Sequence, residues 1–183
     1  MAGLLLAAGR GARFGTPKAL VEYAGESLLD RGVRLLAEGG CDPVVVVLGA
    51  ADAPVRGALA VRNPDWATGM GSSLRAGLAA LPGQATAVVV ALVDQPLIRP
   101  GAVRALIAAR AGLAVATYAG RRRNPVLIAR EHFAEVARLA TGDVGARAFI
   151  AAHPELVTEV PCDGHGDPAD IDTPADLAAL QPE

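Results

Sequence analysis

The sequence predicts an α/β protein, a single three-layer α/β/α domain with a mostly parallel central sheet. Apolar runs alternate with helix-like segments along all 183 residues, and this alternation is typical of a parallel sheet covered by helices on both faces. Pro43–Leu48 and Ala87–Val93 are rich in valine without polar alternation, as expected of strands buried on both faces. No linker, repeat or low-complexity segment divides the chain, so we expect one domain over residues 1–183.

Each element of the first half has its own signal. The apolar run Gly3–Ala8 predicts the first strand. Ser27 is a good N-cap, and the apolar residues that follow at helical spacing predict a helix that Gly39 and Gly40 end. The pattern then predicts a buried strand at Pro43–Leu48, a short helix at Pro54–Ala60 and a short strand at Val61–Asn63.

The second half continues the alternation. A helix over Ser72–Leu81 precedes the buried strand Ala87–Val93, and a proline in the first turn begins the helix Pro100–Ala111. The remaining pattern predicts strands at Leu113–Tyr118 and Asn124–Ile128 joined by a basic turn over Gly120–Arg123, helices at Arg130–Leu139 and Val144–His153, a strand at Leu156–Val160, and a closing helix at Pro174–Leu180.

Composition limits the class of function. The formal net charge is -2 with both signs mixed, which argues against nucleic-acid binding by a broad basic surface, so any anion site must be local. The first apolar run is too short for a signal peptide or a membrane span. Cys41 and Cys162 do not form a closely spaced metal-binding pair. We expect a cytoplasmic protein with free thiols and with neither a nucleic-acid nor a membrane partner.

The segment LLLAAGRGARFGTPK, from Leu4 to Lys18, is the most informative part of the chain. A buried strand ends in small residues, and a loop with three glycines and two arginines follows and closes on the lysine. Such a loop offers free backbone N–H groups and cations to an anion, which is how proteins hold a polyphosphate. We therefore predict a nucleoside triphosphate or a similar ligand. The alternative is a glycine-rich turn with solvated basic residues.

The spacing excludes the two commonest phosphate loops. A P-loop requires Ser or Thr after its lysine, whereas Ala19 follows Lys18. In a dinucleotide fingerprint the third glycine would precede Gly15 by one residue, and Pro17 disfavours helix at Thr16. The remaining pattern, L-x-A-A-G-x-G-x-R-x-G-x-x-K, resembles the signature loop of nucleotidyltransferases with the nucleotide-diphospho-sugar-transferase fold, which is glycosyltransferase-A-like and Rossmann-like.

Two acidic positions are candidate metal ligands. Asp94 directly follows a predicted strand, and open α/β sheets bind ligands beyond the carboxyl ends of their strands. Asp172 lies in the second acidic cluster, Asp170–Pro174. Mg²⁺ takes one or two carboxylates together with phosphate oxygens and waters, so the pair fits one Mg²⁺. The alternatives are a turn or N-cap role for Asp94 and a cap of the last helix by Asp172 or Thr173.

The segment Asn63–Leu74 is a candidate binding region for a nucleotide base. Gly69, Gly71, Ser72 and Ser73 come where a helix is predicted to begin. Small residues at a helix start leave N–H and hydroxyl groups free to contact a flat polar ring. The alternative is a glycine-rich N-cap without a ligand.

Together these pieces resemble the molybdenum cofactor cytidylyltransferase group of the MobA-like NTP transferase family. The matching segments are LLAAGRGARFGTPK, NPDWATGMGSSLRAGL, VALVDQPLI, RRRNPVLI, TGDVGARAFI and DIDTPADL, which span nearly the whole chain. The resemblance implies Mg²⁺-dependent transfer of CMP from CTP to a phosphorylated small molecule, the molybdopterin cofactor, with release of pyrophosphate. It also implies a recipient molybdoenzyme of the xanthine dehydrogenase type as a partner.

The resemblance further implies roles for individual residues. Arg13, Lys18 and Asp94 are the expected catalytic residues, and Asp94 and Asp172 the expected metal ligands. The expected nucleotide-binding residues are Leu6, Ala7, Ala8, Gly9, Arg10, Gly11, Arg13, Gly15, Lys18, Asn63, Gly71, Ser72 and Ser73. The expected acceptor-binding residues are Arg123, Asn124, Pro125, Asp143 and Arg147.

The sequence leaves alternatives open for the identity of the nucleotide base and for the acceptor site. Guanylyl-transferring relatives usually carry L-A-G-G where this chain has Leu6–Gly9, which favours CTP over GTP. Relatives commonly have Gly-His-Pro where this chain has Arg123–Pro125. The basic run Arg121–Arg123 is either an acceptor-phosphate site or a solvated hairpin tip. Asp143 and Arg147 either border the acceptor or pair across one helical turn.

Three other functions use the same features. A molybdopterin guanylyltransferase would take GTP in the same loop. A sugar- or polyol-phosphate nucleotidyltransferase would use the same loop and metal site with another acceptor. A nucleotide-binding protein that delivers cofactor without chemistry should have lost one of Lys18, Asp94 or Asp172, and this chain has all three.

Overall fold

Nine strands and six α-helices form in the computed structural model, which describes residues 1–180. The strands are β1 (Ala2–Leu6), β2 (Glu22–Tyr23), β3 (Glu26–Ser27), β4 (Val44–Leu48), β5 (Leu59–Arg62), β6 (Ala87–Leu92), β7 (Leu113–Tyr118), β8 (Arg121–Ala129) and β9 (Val157–Pro161). The helices are α1 (Leu28–Glu38), α2 (Met70–Ala80), α3 (Pro100–Ala108), α4 (Phe133–Leu139), α5 (Arg147–Ala152) and α6 (Pro174–Leu180).

Seven strands make the central sheet, in the order β5-β4-β1-β6-β8-β7-β9, and β2 and β3 pair separately as a hairpin. Neighbours from β5 to β6 are parallel, β8 is antiparallel to β6 and β7, and β9 is parallel to β7. The chain runs from β1 outward to β4 and β5, then returns on the other side of β1 as β6. This creates a switch point between the carboxyl ends of β1 and β6, where ligands bind in such sheets.

Each face of the sheet packs against its own helices, which confirms the predicted three-layer fold with a mostly parallel sheet. Leu5 lies in one core with residues of α1, α3 and α6, whereas Leu4 lies in the other with residues of α2, α4 and α5. Both leucines are fully buried. Because successive side chains of a strand point to opposite faces, a strand between two helix layers must be apolar at every position.

The helix caps follow the local sequence. Ser27 caps α1, because its hydroxyl accepts the N–H of Asp30 at 3.0 Å. The predicted helix at Val144–His153 begins only at Arg147, since Gly142 and Gly145 adopt positive φ values of 49° and 54°. None of the helices in residues 1–180 is long and apolar enough to cross a membrane. The thiols of Cys41 and Cys162 are free and buried.

Two predicted elements are wrong. Pro54–Ala60 forms no helix, because Leu59–Arg62 pairs with β4 as the edge strand β5. The basic turn is also misplaced. Ala119 and Gly120, with φ values of 48° and 70°, make the turn, and Arg121 already pairs with Tyr118 in the β7–β8 ladder. The other boundaries shift by a few residues.

The start of α2 packs against the loop after α4, and Gly71 makes that approach possible. A Cβ on Gly71 would lie 2.6 Å from the carbonyl carbon and oxygen of Ala140. We expect Gly71→Ala to lower the free energy of unfolding by about 1–3 kcal/mol, as overpacking does, measured by chemical denaturation. Gly83→Ala is the matched control, since its Cβ would meet nothing within 4 Å. Equal stability of the two variants would contradict this packing.

Candidate functional site

A cleft of about 470 Å³ opens at the switch point between β1 and β6. One wall is the loop Ala8–Arg13 that follows β1. Lys18, Asp94 and Asp172 form a charged group in the cleft, which we call the charged trio. The remaining lining is mostly apolar or small and includes Leu6, Trp66, Ala67, Gly69, Met70, Ser73, Leu92 and Val93, together with Asp143.

The loop after β1 presents backbone N–H groups without partners. The N–H of Ala7 donates to Val47 O at 3.0 Å, and those of Phe14 and Gly15 donate back to Gly11 O at 2.9 and 2.8 Å. Between these points, the N–H groups of Ala8–Arg13 donate to no acceptor within residues 1–180. A run of free N–H groups at the end of a strand is suited to phosphate oxygens.

Gly11 allows this loop to close. Its φ is +62°, and a Cβ on it would lie 1.9 Å from the carbonyl oxygen of Thr16. Only glycine therefore fits without moving the backbone. By contrast, a Cβ on Gly9 would meet nothing within 4 Å.

Lys18 is held between two carboxylates. Its Nζ lies 2.7 Å from Asp94 Oδ2 and 2.7 Å from Asp172 Oδ1, and its side chain is only 14% exposed. Burial lowers the pKa of Lys18, but the charges and hydrogen bonds of the two carboxylates outweigh that effect and raise the pKa above its ordinary value. Arg13, which is 72% exposed, donates to Asp172 Oδ2 at 2.8 Å. The trio and Arg13 together carry two positive and two negative charges.

Hydrogen bonds outside the trio hold the two aspartate segments together. The N–H of Ile171 donates to Asp94 O at 2.8 Å. Gln95 is buried, and its Nε2 donates to Asp170 Oδ1 at 2.9 Å and to Pro168 O at 3.2 Å. Sequence reasoning missed Gln95, although an amide directly after a candidate metal ligand is a signal that could have found it.

The cap of α6 leaves the Asp172 carboxylate free for the cleft. Thr173 Oγ1 accepts the N–H of Asp176 at 3.2 Å. In return, the Asp176 carboxylate accepts the N–H groups of Thr173 and Asp172 at 2.7 and 3.0 Å. Thr173 and Asp176 therefore cap the helix reciprocally, and the alternative in which the Asp172 side chain is the cap does not hold.

The two carboxylates fit a divalent cation. Asp94 Oδ1 is buried and accepts no hydrogen bond within residues 1–180, and both carboxylates already share one cation, the Lys18 ammonium. The described part of the chain has no cluster of three or more His, Cys, Asp or Glu side chains suited to a metal. A cation here would take the two aspartates and complete its shell with waters and phosphate oxygens, as Mg²⁺ does.

Asn63, Ser72 and Ser73 form a buried hydrogen-bonded cluster beside the cleft. Asn63 Nδ2 donates to Ser72 Oγ at 2.8 Å and to Ser73 Oγ at 3.0 Å. The Ser72 hydroxyl lies 2.9 Å from both Asp65 O and Gly69 O, to which it donates. Of these three, only Ser73 lines the cleft. Asn63 and Ser72 are buried outside its lining, as are Ala7 and Gly71 among the other predicted nucleotide-binding residues, and Gly15 is exposed outside the lining.

Asp143 is the one predicted acceptor residue that lines the cleft. Its carboxylate accepts the N–H of Met70, the first residue of α2, at 3.3 Å. Arg147 donates to the backbone oxygen of Asp143 at 3.1 Å rather than to its carboxylate. The alternative of an ion pair across one helical turn is wrong, because Asp143 precedes α5 and lies outside any helix.

The other predicted acceptor residues lie in β8, next to the cleft edge of the sheet. The antiparallel register pairs Val126 with Val90. Residues before Val126 therefore lie toward the carboxyl end of β6. Arg123 is exposed there, and Pro125 is buried after a cis peptide bond that joins it to Asn124.

Comparison with known proteins extends along nearly the whole chain. The family profile described as MobA-like NTP transferase domain matches residues 3–157. The nicotine blue oxidoreductase of Paenarthrobacter nicotinovorans is 39% identical over an alignment that covers 93% of this chain and 91% of that protein. A probable molybdenum cofactor guanylyltransferase of Opitutus terrae is 47% identical over 26% of this chain and 23% of that protein.

Solved structures agree with this match. Rv0371c of Mycobacterium tuberculosis H37Rv superposes with a TM-score of 0.84 at 32% identity, covering 98% of this chain and 96% of that chain. The manganese complex of Rv0371c superposes with a TM-score of 0.82 at 30% identity, with the same coverage. A protein of the same fold and related sequence thus binds a divalent cation.

We expect Gly11→Ala to disrupt the loop, because its methyl group collides with the Thr16 carbonyl. The free energy of unfolding should fall by about 1–3 kcal/mol, and nucleoside triphosphate binding measured by calorimetry should weaken with it. Gly9→Ala, whose methyl meets no protein atom within 4 Å, should keep wild-type stability in the same denaturation experiment. Wild-type stability and nucleotide affinity in Gly11→Ala would contradict the assigned role of this glycine.

Proposed function

The chain belongs to the MobA-like NTP transferase family of nucleotidyltransferases, and on that basis we propose that it transfers CMP from CTP to a molybdopterin-type phosphate acceptor with release of pyrophosphate. The observation that carries the proposal is the position of the charged trio directly beside the free N–H groups of Ala8–Arg13. One cleft thus combines free N–H groups suited to phosphate, two carboxylates suited to a divalent cation, and two cationic side chains.

The positive charges of the cleft suit a reaction between two anionic substrates. An oxygen of the acceptor phosphate must approach the α-phosphorus of the nucleotide, although both partners are anionic. In this proposal, Lys18 and Arg13 bind the departing pyrophosphate, and the loop amides orient the phosphates. Asp94 and Asp172 would hold Mg²⁺, which supplies further neutralisation of phosphate charge when it is bound. Positioning and electrostatics are sufficient for phosphoryl-type transfer, so no protein nucleophile is needed.

The choice of CTP is supported by the residue at position 8. Ala8 lines the cleft at the position where guanylyl-transferring relatives usually have glycine. In this proposal, the methyl group of Ala8 restricts the space for a purine and leaves room for a pyrimidine. In this proposal Ser73 offers a hydroxyl to the base, and the buried Asn63, which also donates to Ser72, donates to that hydroxyl.

The proposed molybdopterin acceptor is supported by polar residues at and near the cleft. Asp143 lines the cleft, and Arg123 and Asn124 lie in β8, the strand that pairs with β6. The local match to a probable molybdenum cofactor guanylyltransferase points to the same acceptor class. A molybdoenzyme of the xanthine dehydrogenase type is the proposed recipient of the product.

A reductase is the second candidate, and the full-length similarity to nicotine blue oxidoreductase favours it. The loop N–H groups would hold the pyrophosphate of a dinucleotide as readily as a triphosphate. Hydride transfer, however, does not require two carboxylates that share a partly buried ammonium. The charged trio therefore favours nucleotidyl transfer.

We expect pyrophosphate release from CTP, dependent on Mg²⁺ or Mn²⁺ and on added molybdopterin cofactor. The measurement offers CTP, GTP, ATP and UTP in turn, each with and without the cofactor. Release from GTP alone would replace the cytidylyl assignment by the guanylyl one, and release with sugar or polyol phosphates would replace the acceptor. Oxidation of a nicotinamide nucleotide with nicotine blue as the acceptor, and no pyrophosphate release, would favour the oxidoreductase.

We expect Asp94→Asn to reduce kcat by about 100-fold or more while CTP binding changes far less, because the lost charge acts mainly on the transition state. Steady-state kinetics and calorimetry measure the two effects separately. Asp52→Asn is the control, since Asp52 is 86% exposed and pairs only with Arg62 on the surface. Near-normal turnover of Asp94→Asn with Mg²⁺ would show that Asp94 is not a metal ligand in the reaction.

A further inference from the structure

Lys18 is the only lysine of the chain, since the other sixteen Lys or Arg positions are all arginine. The two side chains differ in shape. An ammonium is a compact charge with three donors, whereas a guanidinium is a planar fork. Lys18 uses this compactness, because its Nζ lies at 2.7 Å from oxygens of two different carboxylates at once.

The Lys18 ammonium and a divalent cation would compete for the same two carboxylates. The Nζ atom of Lys18 donates a hydrogen bond to Asp94 Oδ2 and another to Asp172 Oδ1. With Arg13, the group is neutral in charge. A divalent cation that joined Asp94 and Asp172 with Lys18 still in place would face a buried positive charge at contact distance, which is strongly unfavourable. A metal ion that joins the carboxylates through Asp94 Oδ2 and Asp172 Oδ1 therefore requires Lys18 to move.

The same cleft offers Lys18 a second partner once phosphate is bound. The free N–H groups of Ala8–Arg13 and the Lys18 side chain line one cavity. A phosphate held by the loop would present its oxygens to the displaced ammonium. Lys18 would thus form ion pairs with the phosphate in place of those with the two carboxylates, which the metal would then bind.

We propose that Lys18 is an internal cation that keeps the empty site neutral, and that a divalent cation exchanges with it at Asp94 and Asp172 as Lys18 moves to the bound phosphates. The inference rests on the metal and phosphate sites of the proposed function. It predicts that metal and nucleotide each bind more tightly in the presence of the other, because one ammonium links the two sites.

The first test is Mn²⁺ binding to the nucleotide-free protein, measured from the electron paramagnetic resonance signal of free Mn²⁺. Lys18→Met should bind Mn²⁺ about tenfold more tightly than wild type, because the competing charge is gone. Lys18→Arg keeps the charge and should show no such gain. Arg13→Met is the matched control. It also removes a partner of Asp172, but a solvent-exposed one, so a smaller gain is expected.

Unchanged or weaker Mn²⁺ binding by Lys18→Met would overturn the exchange. That result is expected of a lysine that only contacts phosphate, and also of one that only supports the local structure.

A second test uses the wild-type protein and does not depend on folding of a variant. Because Lys18 is the only lysine, acetylation followed by mass spectrometry reports its side chain alone, with the N-terminal amine as internal reference. Saturating Mn²⁺ should speed acetylation of Lys18 several-fold by freeing it from the carboxylates. Pyrophosphate, added with Mn²⁺ still in excess, should slow it again. An unchanged rate at saturating Mn²⁺ would overturn the proposal.

Neither test requires turnover, so each of the two proposals can be overturned without the other. Tighter Mn²⁺ binding by Lys18→Met, with no nucleotide transfer by wild type, would remove the proposed function and leave the exchange. Normal transfer by wild type, with no gain in Lys18→Met, would remove the exchange alone.

Discussion

The structure of the cleft depends on the two 2.7 Å contacts that join Lys18 to Asp94 and Asp172. The three residues come from distant segments: the end of the glycine loop, the end of β6 and the approach to α6. A partly buried charge is costly unless it is paired, so each segment needs the other two in place. The bond from Ile171 to Asp94 and the buried Gln95 side chain hold the two acidic segments together from outside the trio.

The fold and the charged trio restrict the possible activities to different degrees. A loop of free N–H groups at a switch point suits any polyphosphate, which is consistent with relatives that carry both transferase and oxidoreductase names. Fold alone does not decide between these activities. The charged trio is more specific, because two carboxylates and one ammonium beside the free N–H groups of the loop suit metal-assisted transfer better than hydride transfer.

Local signals predicted the layers well and the connections less well. Uninterrupted valine runs identified β4 and β6, because a strand covered on both faces must be apolar throughout. Pro54–Ala60 was wrongly predicted as a helix, since its last residues join β5 only through pairing with β4. Likewise, Arg121–Arg123 has the composition of a turn but pairs with β7 along its length. In both segments, hydrogen bonding to a strand outside the segment decides the conformation.

The sequence by itself determined the α/β layering, the glycine loop and the residue types that the candidate chemistry needs, because these depend on local spacing and side-chain chemistry. Only the tertiary structure decided which of those residues meet. It brings Lys18 between Asp94 and Asp172, and it turns Asn63 and Ser72 toward each other outside the cleft lining. It also leaves Thr173, not Asp172, to cap α6. Contacts between segments far apart in the chain follow from sheet order and helix packing, which no single stretch of sequence encodes.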